Sequence, residues 1–187
     1  MSARKTPPPA RKKWLKLWMW WLIACSYGWG IGWIFGLVGI LVGGSVIGQA
    51  QWVVLRRHID GIKVWAVATG VSLGFSLPIS LLLLRAETPA MGAMAGAMAG
   101  AITGFTQARI LEGHVIRTDW WILSSIIGLA GGLYAGITMF REVWGSSFGT
   151  IPNSVVGVTI GLVYGAVTGT MLLWLLWMRE QQNPPQA

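Results

Sequence analysis

Two glutamines and two histidines are the side chains whose type and spacing come nearest to a ligand set. Residues 44–58 read GSVIGQAQWVVLRRH, and 56 positions later residues 100–114 read GAITGFTQARILEGH. Gly44, Gly48, Gln51, Leu55 and His58 thereby recur as Gly100, Gly104, Gln107, Leu111 and His114. On a helix, positions i, i+4 and i+7 share a face, so each Gln lies in line with its Leu and His. An imidazole nitrogen is a common ligand of haem iron, and a neutral amide oxygen suits the magnesium of a chlorophyll. Gln51, His58, Gln107 and His114 are therefore candidate tetrapyrrole ligands. The plainer reading is preferred. In it each Gln hydrogen-bonds a neighbouring helix and each His meets lipid headgroups beside an Arg, with no cofactor expected and chlorophyll or haem as the alternative.

Other chemistries find little to work with. Cys25 is the one cysteine, so neither an intramolecular disulfide nor a cysteine-based zinc cluster is available. The two His residues stand too far apart in sequence for a metal-ligand spacing, and no metal site is expected. The carboxylates Asp60, Glu87, Glu112, Asp119, Glu142 and Glu180 all fall near the ends of apolar segments, whereas ion-coupled carriers place an ionisable group inside the bundle. No phosphate-binding loop, hydrolase elbow or dinucleotide fingerprint appears. No catalytic residue is assigned, and the chain is not read as an enzyme. Met91, Met94 and Met98 form a stripe best explained by plastic packing. LIAC, residues 22–25, looks like a lipidation box, but the apolar run continues past Cys25, which suits an uncleaved span with a packed thiol.

The elements that must position these residues are membrane helices. Hydrophobic residues make up 54% of the chain and charged ones 11%, with a mean hydropathy of +0.60; soluble domains carry about 25% charged residues. Apolar stretches of spanning length occupy residues 62–84, 89–110, 120–140 and 153–177. Residues 14–55 would make a helix of about 63 Å, twice the ~30 Å hydrocarbon core. They form either two short helices turning near Gly30 and Gly32, or one span followed by a surface helix. Basic residues favour the first choice. With six spans and both termini cytoplasmic, twelve of the fourteen Lys and Arg lie inside and only Arg85 and Arg141 outside, against eight and six for five spans. The net charge of +8 is concentrated between Arg4 and Lys16, which suits anionic lipid rather than nucleic acid. Trp20, Trp21, Trp65, Trp120, Trp121, Trp174 and Trp177 fall near the proposed inner helix ends, where bilayer anchors belong.

Three similar outgoing helices open with WWLIACSYGWG at Trp20, WAVATGVSLG at Trp65 and WWILSSIIGLAG at Trp120. Each precedes a glycine-rich returning helix. The expected fold is all-α and integral to the membrane, with six transmembrane helices as three parallel-repeat hairpins about a pseudo-threefold axis. Hairpin 1 covers 14–57, hairpin 2 covers 62–111 and hairpin 3 covers 120–177, with cytoplasmic tails at 1–13 and 178–187. Hairpin 1 is short, and in hairpin 3 Tyr164 stands where Gln is expected. Gly44 and Gly48, then Gly92, Gly96, Gly100 and Gly104, then Gly157, Gly161, Gly165 and Gly169 recur every fourth residue. Such glycine-zipper faces let helix backbones approach closely in lipid, where hydrophobicity gives no drive for association.

The GxxxGxxQWVVLRRH phrase, followed by a Trp-started helix, resembles small Gly- and Trp-rich multi-pass proteins of cyanobacteria and related phototrophic bacteria, best over residues 44–141. The resemblance implies a bacterial inner or thylakoid membrane and carries no activity with it. The expected role is that of an assembly factor or accessory scaffold subunit in a larger membrane-protein complex. A small-solute channel or carrier is the first alternative and a pigment-binding accessory protein the second.

Overall fold

The computed structural model describes residues 11–34, 36–85, 87–144 and 150–182. They form six helices: α1 (Arg11–Ile34), α2 (Gly36–Leu55), α3 (Trp65–Leu83), α4 (Pro89–Leu111), α5 (Thr118–Trp144) and α6 (Thr150–Gln182). No strand occurs among the described residues. Each helix packs on its neighbours in the chain, and α6 closes the ring by packing on α1. One end of the bundle gathers the start of α1, the α2–α3 and α4–α5 loops and the end of α6. Lys13 Nζ lies 3.4 Å from a Glu180 carboxylate oxygen across that end.

Polarity is distributed inside out along α3. Thr69, Ser72, Ser76 and Ser80 are buried, while Val67, Val71, Phe75, Ile79 and Leu82 are exposed. In water this arrangement would cost the whole apolar stripe. In hydrocarbon it is favourable, because the polar groups find partners inside and the large apolar groups meet lipid tails. Ser80 returns its hydroxyl to the Ser76 carbonyl at 2.7 Å and Ser72 to the Thr69 carbonyl at 3.4 Å, whereas the buried Ser76 hydroxyl makes no hydrogen bond of good geometry.

Three helices are long and apolar enough to cross a membrane: Trp65–Leu83, Thr118–Val143 and Pro152–Gln182. This is fewer than the six expected. α4 spans 23 residues, but Ala and Gly dominate it and carry little apolar area. α1 opens on RKKWLK, and the described apolar part of α2 is the shorter Val42–Leu55. The long first region does divide in two, although not at Gly30 and Gly32: both lie within α1, which runs on to Ile34. α1 and α6 also extend into segments expected to be tails.

The two loops at the basic end are built alike. His58 N–H donates to the Leu55 carbonyl at 2.8 Å and His114 N–H to the Leu111 carbonyl at 2.9 Å. Ile59 and Val115 follow with bonds to the same carbonyls and are both buried. Ten residues after each Gln, Gly61 and Arg117 adopt left-handed φ values of 82° and 65°. Glycine takes that conformation freely, whereas Arg117 holds it at a steric cost. At the opposite end, Thr88 Oγ1 accepts the Met91 N–H at 3.2 Å and Pro89 opens α4, a favourable N-terminal cap.

Candidate functional site: a buried Trp–Gln core

Three indoles fill the bundle near its basic end. Trp21 of α1, Trp65 of α3 and Trp121 of α5 are all 0% exposed. Their ring centroids are 6.5 Å apart for Trp21–Trp65, 6.0 Å for Trp21–Trp121 and 5.9 Å for Trp65–Trp121, every pair edge to face. That geometry sets the positive ring edge of one indole on the negative face of the next. These three are therefore core residues and not bilayer anchors. Their sequence neighbours Trp20 and Trp120 face outward, as does Val64 beside Trp65.

A buried indole N–H needs an acceptor, and the returning helices supply it. Trp65 Nε1 donates to Gln51 Oε1 at 3.2 Å, and Trp121 Nε1 donates to Gln107 Oε1 at 3.0 Å. Trp21 Nε1 donates to Thr168 Oγ1 at 3.0 Å, and that hydroxyl bonds on to the Tyr164 carbonyl at 2.7 Å. Both glutamines are 0% exposed. Their amide nitrogens reach the outgoing helix on the other side. Gln51 Nε2 donates to Cys25 Sγ at 3.4 Å, and Gln107 Nε2 to Thr69 Oγ1 at 2.9 Å, with a longer contact of 3.5 Å to Gln51 Oε1.

Cys25, Thr69 and Ser125 each stand one turn after a core Trp, in W-x-x-x-(C/T/S). Gln51 meets Cys25 and Gln107 meets Thr69, while the Tyr164 hydroxyl faces Ser125 as well as both glutamines. Tyr164 thus occupies the place of a third glutamine. It lacks the amide's paired donor and acceptor, so the Trp21 N–H is served one turn further along α6 by Thr168. Ser125 Oγ makes no hydrogen bond of good geometry.

Glycines bring these helices within reach of one another. A Cβ on Gly44 would stand 2.8 Å from the Gly70 carbonyl oxygen, and one on Gly48 would stand 3.1 Å from Ala66 Cα, both on α3. On α4, Gly100 and Gly104 meet Ile126 Cα at 2.8 Å and Ser125 Cβ at 2.7 Å, and Gly96 lies against Leu129. On α6, Gly161 meets Cys25 O at 2.6 Å, Gly165 meets Cys25 Cβ at 3.0 Å and Gly169 meets Trp21 Cδ1 at 2.9 Å, with Gly157 against Trp29. Gly92 meets only the flexible end of Ile137. These glycines bring α2 against α3, α4 against α5 and α6 against α1, while Gly28, Gly32 and Gly43 bring α1 against α2 and Gly132 brings α5 against α6.

Comparison with known families, curated proteins and solved structures finds no match. The geometry alone assigns the roles.

The four candidate ligands divide into two environments. Gln51 and Gln107 converge in the core, where both oxygens already accept indole N–H groups. The indoles touch one another, so a macrocycle has no place between them. His58 and His114 lie on the basic rim. His58 Nδ1 contacts the Val54 carbonyl at 3.2 Å, and His114 Nε2 lies against Gly61 of the neighbouring loop. Among the described residues no group of three His, Cys, Asp or Glu side chains converges as a metal site requires. Cys25 Sγ is buried and held by Gln51, leaving no room for a lipid on the folded chain. Sequence reasoning took the core Trp residues for interface anchors and passed over Thr69 and Ser125, although it read Cys25 as a packed thiol, as found; the shared Trp-plus-four spacing was there to be read.

Proposed function

We propose that the chain is a six-span membrane bundle of three equivalent units whose function is structural: an assembly factor or scaffold subunit for a larger membrane complex. The observation that carries this reading is a core whose glutamines and indoles bond one another, packed among buried aliphatic residues, while a further stripe of large apolar residues stands outside. A protein that acts by packing needs a rigid interior and an adhesive exterior, and it needs no reactive group between them. Equivalent loops, glycine faces and Trp–Gln pairs support the threefold construction. The repeated unit is then a returning helix with the following outgoing one, and the chain closes the third unit from its two ends as α6 with α1.

In this reading the basic end is cytoplasmic, in a bacterial inner or thylakoid membrane, and α1, α2 and α4 cross despite their modest hydropathy because their small or polar residues face the bundle. A solute passage along the axis would have to separate three indoles in mutual contact, which disfavours the channel alternative. The test is a photoreactive residue placed at Phe75, on the lipid-facing stripe of α3. Irradiation of intact membranes is expected to give one discrete protein adduct of constant mass, displaced when the solubilised complex is dissociated. Cross-links to lipid alone, from Phe75 and equally from Ile127 on α5, would overturn the scaffold role.

A further inference from the structure

The bundle is grooved along α1 and α2. A cavity of about 540 Å³ opens at the basic rim between Lys13, Lys16, Leu17, Trp20, Val54 and Arg57, with Val53 and His58 completing it. A second hollow of about 360 Å³ continues outward along the same two helices past Tyr27, Val42, Val46 and Ala50, and the two share Val53. From Val42 to Val53 the groove follows eleven residues of α2, about 17 Å at helical rise. One leaflet of the hydrocarbon core is about 15 Å deep. The groove therefore runs from headgroup level to the middle of the bilayer.

Its charge is unbalanced in a way that the α4–α5 loop is not. In the α4–α5 loop, Arg109 bonds Glu112 at 2.8 Å and Arg117 approaches Asp119 at 3.7 Å. Among the described residues, Lys16 and Arg57 have no carboxylate within ion-pairing distance, although Asp60 lies in the same loop as Arg57. Lys13 is shared with exposed Glu180, which borders an adjoining hollow together with Arg179, Arg57 and His58. His58 Nδ1 contacts the Val54 carbonyl at 3.2 Å beside the groove. Two unpaired cations at the mouth of an apolar trench suit an anionic headgroup carrying an acyl chain, of which a phospholipid is the commonest membrane source.

We infer that the α1–α2 groove is a binding site for an anionic phospholipid, with its phosphodiester on Lys16 and Arg57 and one acyl chain along Trp20, Val53, Ala50 and Val46. This site rests on the membrane placement proposed above but not on the scaffold role, since a missing protein partner at Phe75 leaves it untouched.

The full-length protein in neutral detergent is titrated with phosphatidylglycerol or with phosphatidylcholine of identical chains, and retained lipid is counted by native mass spectrometry. One phosphatidylglycerol is expected to be held in preference. Lys16→Gln with Arg57→Gln should lower its retention about tenfold, while Arg109→Gln with Arg117→Gln should not. Ala50→Phe, which fills the trench and leaves the cations in place, should also release the lipid. Equal retention of the two lipids, or equal loss in both charge variants, would overturn the site. Displacement by millimolar inorganic phosphate would overturn it too, because a held acyl chain should defeat so small a competitor. All the charge substitutions are at exposed positions, so unchanged melting temperatures are expected to accompany the loss.

Discussion

Gln107 shows how much a single amide does in a dry interior. Its oxygen accepts the Trp121 N–H and its nitrogen satisfies Thr69, so one side chain ties α4 to both neighbours. Gln107→Leu keeps the volume and leaves the indole N–H without an acceptor. The expected cost is about 1–3 kcal/mol, toward the lower end if the membrane-inserted unfolded chain finds other partners. It should appear as a lower melting temperature in detergent, whereas Gln49→Leu, exposed on α2, should leave that temperature unchanged. The glutamines were legible in the sequence because they repeat at a fixed interval after paired glycines. Their partners were not, because Trp is equally at home at a bilayer interface and in a core. Trp20 and Trp21 are adjacent and chemically identical, yet one is 57% exposed and the other 0%. Only the turn of the helix separates them.

At the scale of helices, glycines set how closely neighbours approach. Gly161→Ala would set a methyl 2.6 Å from both the Cys25 carbonyl oxygen and Ser26 Cα, and backbone cannot yield as a side chain does. Forcing α6 from α1 in this way should cost about 1–3 kcal/mol. Gly131→Ala meets only Val163 Cγ1, at 3.4 Å, and should stay within about 0.5 kcal/mol of the wild type. Equal melting temperatures for the two variants would mean that the close α1–α6 contact contributes nothing. The four-residue spacing announced that glycine faces exist, since a stripe of this kind has few other uses in an apolar helix. It did not announce their direction. A glycine face is complementary to any smooth helix, so the choice of the following helix over the preceding one rests on where the Trp and Gln side chains meet. The break between α1 and α2 was misplaced for a related reason: Gly30 and Gly32 look like a turn in sequence but serve as thin points in a continuing helix. Gly32 and Gly43 lie so close that a Cβ on Gly32 would stand 2.8 Å from Gly43 Cα.

For the whole molecule, the distribution of basic residues carries the strongest information, because it reflects the cost of moving Lys and Arg across a bilayer. It supports six crossings where hydropathy marks three, and the difference is physical. A helix of Ala and Gly such as α4 gains little from lipid by itself and depends on neighbours to cover its backbone. The two accounts part at Thr88 and Gly61. A cysteine at Thr88 should react from outside sealed cells with a membrane-impermeant thiol reagent, and one at Gly61 should remain silent. Native Cys25 gives no background because it is buried. Labelling at Gly61 would sink the six-span arrangement.

The contact between Lys13 and Glu180 has a consequence for how the chain is written. It marks where the start of the first helix lies beside the end of the last, and the packing of α6 on α1 joins them much as α2 meets α3. In the ring, the position of the two ends is a covalent accident. Joining them with a short linker and reopening the backbone at Gly61 would preserve the insertion order of alternating crossings, with α3 now entering first. Such circular permutation is tolerated where ends are close and the new break is exposed. The bundle, in that sense, has no first helix.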